Sequence, residues 1–252
     1  MIVNTDINIL GSILDLTIIN NVFSADQNKT FGKSIVKPVS NLKTTRSVER
    51  YERAVKNTLL LFKNIELNDL FYSVFKKEEL SQNALTLLFL NASFNNDLLN
   101  YFNLNIYFPA YYSGRIGIRK NEIIACIHEL KQKEENVKLW SDSTIDVVAR
   151  KYLALLEKFS LLEGARTKLI QHNYVDDIQL MLFIYWICKT ETKANILESN
   201  WFSYSFLEKD SFIERILQKK FMKYINVIYT GDSVKIETRI SYKEIFNELT
   251  KF

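Results

Sequence analysis

The clearest indication of a binding chemistry in this sequence is a group of closely spaced lysines and arginines. Between Asn28 and Lys63, nine cations stand against two acids, a local net charge of +7, whereas the whole chain carries only +4. Because the remaining chain is slightly acidic, this segment concentrates positive potential and can attract a polyanion such as a nucleic-acid backbone. The nine cations are Lys29, Lys33, Lys37, Lys43, Arg46, Arg50, Arg53, Lys56 and Lys63.

The second half of this segment, residues 44–63, has the spacing of an amphipathic helix that a threonine at either of its first two positions can cap. Glu49 to Arg53 and Glu52 to Lys56 are placed for four-residue ion pairs, so a solvated, self-paired face is one interpretation of the cations. Seven cations remain after both acids are paired, and this excess favours a surface that binds phosphates.

A second helix with cations is predicted between Trp140 and Gly164. Ser143 can accept from amides of the first turn and Asp146 can reach back to complete a capping box, which predicts a helix that begins near Thr144. Apolar residues at three- and four-residue steps gather on one side, which we expect to be buried. They are Ile145, Val148, Tyr152, Leu155, Leu156 and Phe159.

The other side of this helix suits contact with a phosphate-lined groove. Gly164 can take the positive φ needed at a helix end, and Arg166 and Lys168 then follow in a predicted wing. Many winged-helix DNA-binding modules end their third helix in this way. Cations on a surface helix commonly serve solubility, and this alternative stays open. The outward positions are Val147, Arg150, Lys151, Ala154 and Lys158.

A third group of cations, Arg115, Arg119 and Lys120, follows a predicted connection at residues 109–117. Neighbouring tyrosines in this connection could stack on unpaired bases, although aromatic pairs in linkers more often anchor the linker to a core. The connection suggests a boundary near residue 113.

That boundary predicts two domains. Residues 1–113 would form a helical domain with the basic loop and helix, and residues 114–252 a winged-helix-like region.

Catalytic motifs are missing from the sequence. It contains no phosphate-binding glycine loop, dinucleotide fingerprint or serine-nucleophile motif. His128 and His172 lack metal-ligand spacing, and Cys126 and Cys188 lie in apolar helical patterns without a CxxC motif. We therefore predict a protein that is not an enzyme and has no cofactor and no metal site.

Composition predicts a mainly α fold, a helical bundle with winged-helix-like parts. Six glycines and two prolines are few for 252 residues, which favours long helices over sheets with many turns. Residues 222–229 and 233–240 are rich in β-forming side chains and predict a small C-terminal β-hairpin. Residues 1–23 have the pattern of an amphipathic helix. The longest apolar run, residues 178–188, is shorter than the ~20 residues that cross a bilayer, so we expect a cytoplasmic protein with no membrane span.

Three segments resemble the BrxA family of bacterial BREX phage-defence systems. They are TTRSVERYERAV at Thr44–Val55, NALTLLFLNASFNNDLLNYF at Asn83–Phe102 and WSDSTIDVVARKYLALLEKFSLLEG at Trp140–Gly164. The resemblance covers roughly residues 5–170 and is weakest in the C-terminal extension. It implies a mostly helical, non-enzymatic protein with a winged-helix-like part that binds DNA and works beside larger defence proteins.

The resulting hypothesis is an accessory protein of a BREX-type system that binds double-stranded DNA mainly through phosphates. The alternative is a helical adaptor that docks other BREX proteins without binding DNA, its charges serving solubility or recognition of an acidic surface. The predicted DNA-binding residues are Lys43, Arg46, Arg50, Arg53, Lys56, Arg115, Arg119, Arg150, Lys151, Lys158, Arg166 and Lys168.

Overall fold

A computed structural model describes residues 3–12, 19, 44–75, 81–165, 167–172, 174–193 and 195–251. The α-helices in these ranges are α1 (Ile7–Leu10), α2 (Thr45–Ala54), α3 (Ile65–Phe75), α4 (Gln82–Asn95), α5 (Asp97–Phe102), α6 (Phe108–Tyr112), α7 (Lys120–Lys133), α8 (Glu135–Lys138), α9 (Asp142–Lys158), α10 (Asp177–Thr190), α11 (Lys209–Ile216) and α12 (Ile245–Leu249). The strands are β1 (Gly117–Ile118), β2 (Leu162–Glu163), β3 (Lys168–Ile170), β4 (Ile225–Tyr229) and β5 (Val234–Thr238). Val55–Leu59 and Asn103–Tyr107 are π-helical, and Ile196–Glu198, Phe202–Ser205 and Lys219–Phe221 are 3-10 turns.

The mainly α fold with a small C-terminal hairpin is confirmed. The chain forms two compact units, Met1–Leu61 with Asn91–Asn173 and Phe62–Leu90 with Tyr174–Phe252. These units partition the chain differently from a boundary near residue 113, and the predicted domain division stays a prediction.

In the first unit, a small antiparallel sheet has the order β1–β3–β2. Gly117 pairs with Leu169 and Leu162 pairs with Ile170. The helices α7, α8 and α9 lie in the chain between β1 and β2. Gly164 has a φ of +97° in the connection from β2 to β3, a conformation that glycine adopts far more readily than other residues. All six apolar residues predicted for the buried side of α9 are buried.

The second unit contains α10, whose residues from Leu180 to Ile187 are buried around the whole helix. Asp176 caps it by accepting from the Gln179 amide at 2.7 Å. The predicted hairpin is present as β4 and β5, which pair in five positions from Ile225 with Thr238 to Tyr229 with Val234.

Several predicted element boundaries were wrong. The helix predicted for residues 44–63 leaves the α-helical pattern at Val55 and ends after a π-helical turn at Leu59. The predicted connection at residues 109–117 is still helical through Tyr112. The predicted N-terminal helix is interrupted by a turn at Gly11 and Ser12, and much of residues 1–23 lies outside the described ranges.

Candidate nucleic-acid interface

The arginine face, which we define as Arg46, Arg50, Arg53 and Lys56, is the solvent side of α2 and the following turn. Thr44 caps α2 by accepting from the Ser47 amide at 3.2 Å, as the sequence predicted for one of its two threonines. The spacing of the three arginines places them on one side of the helix, while Tyr51 and Ala54 are buried on the other. All four cations are exposed.

The acids that the structure describes do not neutralise these four cations. Within the described residues, no carboxylate lies within 4.0 Å of any of them. The ion pairs expected from Glu49 to Arg53 and from Glu52 to Lys56 are therefore not formed. No described acid therefore offsets the positive charge of the arginine face, and an exposed positive charge is the electrostatic property that phosphate binding needs.

Side-chain amides hold the end of this helical segment in place. Asn91 donates to the Leu59 carbonyl at 2.7 Å, and Asn95 donates to the Thr58 carbonyl at 3.0 Å and the Leu61 carbonyl at 2.9 Å. These carbonyls lack helical partners at a helix end, so the amides satisfy groups that burial would otherwise leave unpaired. The arginine face therefore lies on a helical segment whose end is held in place by hydrogen bonds from Asn91 and Asn95.

The second basic region is the paired cluster, which we define as Arg115, Lys120, Arg150 and Lys168. Each of these cations has an acid partner: Arg115 with Glu122 at 2.7 Å, Lys120 with Asp146 at 2.6 Å, Arg150 with Asp146 at 2.8 Å, and Lys168 with Glu157 at 2.6 Å. Hydrogen bonds from Lys120 and Arg150 lower the pKa of the Asp146 carboxyl. This carboxyl therefore stays ionised, and the ion pairs with the three acids cancel much of the cluster's charge.

Asp146 was expected to complete the cap of α9, and this prediction was wrong. The cap is Ser141, which accepts from the Thr144 amide at 3.3 Å, so α9 begins at Asp142 rather than near Thr144. Asp146 faces α7 and binds two cations. Ser141 is the first of three closely spaced hydroxyl residues, followed by Ser143 and Thr144, and spacing alone did not distinguish it from Ser143.

Arg119 is exposed beside the paired cluster, and the described part of the chain places no carboxylate within ion-pair distance of it. Its backbone amide donates to Glu122 at 2.8 Å. Arg115, Arg119, Glu122 and the 81% exposed Ile116 line part of a groove of about 450 Å³ along β1. The groove mixes charged and apolar groups, unlike the arginine face.

One side of α9 is covered by the start of the chain. The backbone of Gly11 lies so close to the Lys151 carbonyl that a Cβ atom would come within 2.2 Å of its oxygen. Lys158 donates to the Leu10 carbonyl at 3.5 Å, and burial lowers the pKa of its ammonium group to about 8. Lys158 therefore lies against α1, although the sequence placed it on the outward side.

The profile of the BrxA family matches residues 17–183, well over half of the 252 residues. The chain belongs to the BrxA family. This confirms the resemblance found in the three sequence segments and identifies a BREX-associated defence protein. No curated protein and no solved structure matches the chain.

The part of the chain matched to BrxA contains both basic regions and ends inside α10, so the hairpin β4–β5 lies beyond it. Within the described ranges of this BrxA chain, no helix is both long and apolar enough to cross a bilayer.

The predicted binding residues of the BrxA chain thus have different environments. Arg46, Arg50, Arg53 and Lys56 are exposed together; Arg119 is exposed by itself near the paired cluster, and Lys151 is half-exposed beside Gly11. Lys43 and Arg166 lie outside the described residues, as do the lysines of the basic loop. Sequence reasoning missed the packing of α1 on α9. The isolated Gly11 within an apolar pattern was the one available indication, because such a glycine often marks close backbone approach.

Other reactive groups form no site in the described residues. Both cysteines are free thiols, and burial raises the pKa of Cys126 to about 11 and that of Cys188 to about 12. Such thiols stay protonated and unreactive near neutral pH. His172 is exposed and stacks on Tyr111 at 4.6 Å between ring centroids. No group of three metal-ligating side chains occurs in the same ranges.

Proposed function

We propose that this BrxA protein is a non-enzymatic component of BREX defence that binds double-stranded DNA mainly through phosphate contacts at the arginine face. The single observation that carries the proposal is the exposure of four cations without an acid partner in the described ranges. Arginine suits this role because its planar guanidinium can bind phosphate oxygens with two hydrogen bonds. A surface of this kind binds many sequences, since phosphates carry no base identity.

The order of elements in the first unit supports a DNA-binding module. Residues 97–112 are helical and are followed by β1, α7, the one-turn helix α8, α9, β2 and β3. Apart from the single turn of α8, this is the order of a winged helix: a helix, a strand, two helices and a hairpin that joins the first strand. In it, α9 occupies the place of the helix that enters the major groove in helix-turn-helix proteins. We propose that this segment is a winged helix and that Arg150 and Lys151 supply secondary phosphate contacts.

Replacing the arginines tests the proposal. The variant Arg46→Gln, Arg50→Gln, Arg53→Gln removes three contacts and should weaken binding to a mixed-sequence duplex about 30-fold or more, measured by fluorescence anisotropy at low salt. Exposed positions tolerate such changes, so the melting temperature should stay nearly constant.

The matched control is Lys193→Gln, Lys209→Gln, Lys243→Gln, which removes the same charge from exposed lysines of the second unit. It should reduce affinity only slightly. Equal losses in the two triple variants, or a wild-type protein that does not bind the duplex, would reject the arginine face as the binding surface.

A protein adaptor is the second candidate, and a specific observation favours it. The first unit exposes two large apolar side chains close in sequence to the paired cluster and α9, Ile116 at 81% and Leu139 at 91%. Charge-balanced surfaces with exposed apolar residues suit protein partners better than phosphates. In that case, reversing Arg150 and Lys151 would disrupt co-purification with other BREX proteins and leave DNA binding intact.

A further inference from the structure

The outer edge of β4 lacks the features that usually protect an edge strand from pairing. Within the described residues β4 pairs with β5 alone, and its five residues, Ile-Asn-Val-Ile-Tyr, carry no charge. Ile228 is 46% exposed and Tyr229 is 42% exposed. Edge strands of soluble proteins usually carry charges, prolines or bulges that prevent pairing with another chain, and β4 has none of these.

The hydrogen bonds at the two ends of the hairpin determine which backbone groups face this edge. Thr230 donates to the Ser233 carbonyl at 3.1 Å, and Arg239 donates to the Tyr224 carbonyl at 2.8 Å. Bonded positions alternate along an antiparallel ladder, so the even-numbered residues of β4 bond to β5. The amides and carbonyls of the odd-numbered residues Ile225, Val227 and Tyr229 therefore point to the open edge. Hydrogen bonds between described residues do not engage them.

We propose that the outer edge of β4 pairs with β4 of a second copy of this chain, antiparallel and about a two-fold axis at Ile228. In this register Val227 of each copy exchanges two hydrogen bonds with Tyr229 of the other, so the outward groups of these two residues are satisfied in both strands. Ile225 falls opposite Gly231, beyond the end of the partner strand. Ile228 lies directly opposite its counterpart, where side chains approach closely and apolar pairs stabilise a sheet. Two hairpins thereby become one four-stranded sheet.

Self-pairing fits the charges around the edge. The nearest charged residues beyond the strand ends are Lys223 and Asp232, both exposed. Across the axis, Lys223 of one copy falls one position from Asp232 of the other, so opposite charges meet and like charges do not. A two-fold interface must be complementary to itself, and this edge meets that condition in hydrogen bonding, apolar contact and charge.

The dimer should be weak. Pairing of two short strands buries much less than the roughly 1,200 Å² of a standard interface, and interfaces below that size are typical of weak, transient association. We therefore expect a dissociation constant in the micromolar range or weaker. The inference goes beyond DNA binding and does not depend on it, because β4 and the residues around it belong to the second unit, whereas the arginine face belongs to the first.

Sedimentation velocity of the full chain from about 1 to 200 μM tests the proposal, since this range brackets a weak interface. The wild-type mass should rise from 29.6 kDa toward twice that value. Ile228→Lys places two like charges opposite each other and should raise the dissociation constant at least about tenfold. Ile65→Lys, the same change at a 75% exposed isoleucine of the second unit, should leave it unchanged.

Two further variants separate pairing from misfolding. Val227→Pro removes an amide that bonds to nothing in β5, so the hairpin should persist by circular dichroism while the dimer is lost. Ile228→Glu mixed with Ile228→Lys should restore association, because the two side chains meet across the axis. A wild-type chain that stays monomeric, a dimer that survives Val227→Pro, or a mixture that does not associate would each overturn the proposal.

Discussion

The arginine face and the paired cluster hold the same number of cations and differ in what surrounds them. The four cations of the arginine face have no acid within ion-pair distance in the described ranges, whereas each cation of the paired cluster has one. How strongly a region attracts a polyanion depends on the local net charge of that region. Two regions with equal numbers of cations therefore need not bind DNA equally. For DNA binding, whether the cations are paired with acids therefore matters more than how many cations a region contains.

Lys158 adds a third environment, in which the cation is partly withdrawn from solvent. Among the described residues, its ammonium group donates one hydrogen bond, the 3.5 Å contact to the Leu10 carbonyl, and burial lowers its pKa to about 8. Burial disfavours the charged form because the surrounding protein replaces water. A cation in this position contributes little to a binding surface.

Charge reversal in the paired cluster should have a smaller effect than loss of the arginine face. We expect Arg150→Glu, Lys151→Glu to weaken duplex binding about fivefold, because Arg150 already interacts with Asp146 and Lys151 lies beside α1. Anisotropy measures the affinity, and co-purification with other BREX proteins should be unaffected. A loss larger than that of the arginine triple variant would reverse the proposed ranking of the two regions.

Removing an acid should strengthen binding. Asp146→Asn frees Lys120 and Arg150 from their shared partner, and we predict that duplex affinity rises about two- to threefold. Asp142→Asn changes net charge equally at the exposed start of the same helix, and Asp142 holds no ion pair among the described residues. Asp142→Asn should raise the duplex affinity less than Asp146→Asn does. The pairing argument fails if both variants give the same gain.

The smallest expected effect concerns stability at α1. Lys158→Met removes a partly desolvated ammonium group, and because water still screens it, the free energy of unfolding at pH 7 should rise by only about 0.5 kcal/mol. The folded-state pKa of about 8 lies below the ordinary value of 10.5, so the wild-type chain gains stability as pH rises from 8 to 10.5. The advantage of the variant should therefore shrink over that interval in urea titrations. Lys151→Met should show a smaller change, and a pH-independent difference would refute burial as the cause.

Features that depend on residues close together in the chain were predicted well from the sequence. The Thr44 cap and the buried side of α9 follow from spacing of residues within one helix. The hairpin β4–β5 follows from composition and a turn. Each of these features depends on residues close together in the chain.

Features that depend on distant residues were not predictable in this way. Lys120 pairs with Asp146 across 26 positions, and α1 packs on α9 from more than 100 residues away. Spacing within one helix carries no information about either contact. The prediction from the sequence therefore overestimated the positive charge around α9 that is available to bind phosphates. Four-residue pairs on α2 were predicted from spacing and are absent from the described residues, because such pairs contribute only about 0.3 to 0.5 kcal/mol and do not constrain exposed side chains.

The salt dependence of duplex binding tests the central difference most directly. A plot of log affinity against log salt concentration has a slope proportional to the number of phosphates contacted, about 0.9 per contact. Arg46→Gln, Arg50→Gln, Arg53→Gln should reduce the magnitude of the slope by about 2.7, whereas Arg150→Gln, Lys151→Gln, Lys168→Gln should reduce it by less than about 1. Equal reductions in the two triple variants, or a slope that the arginine variant leaves unchanged, would contradict the account.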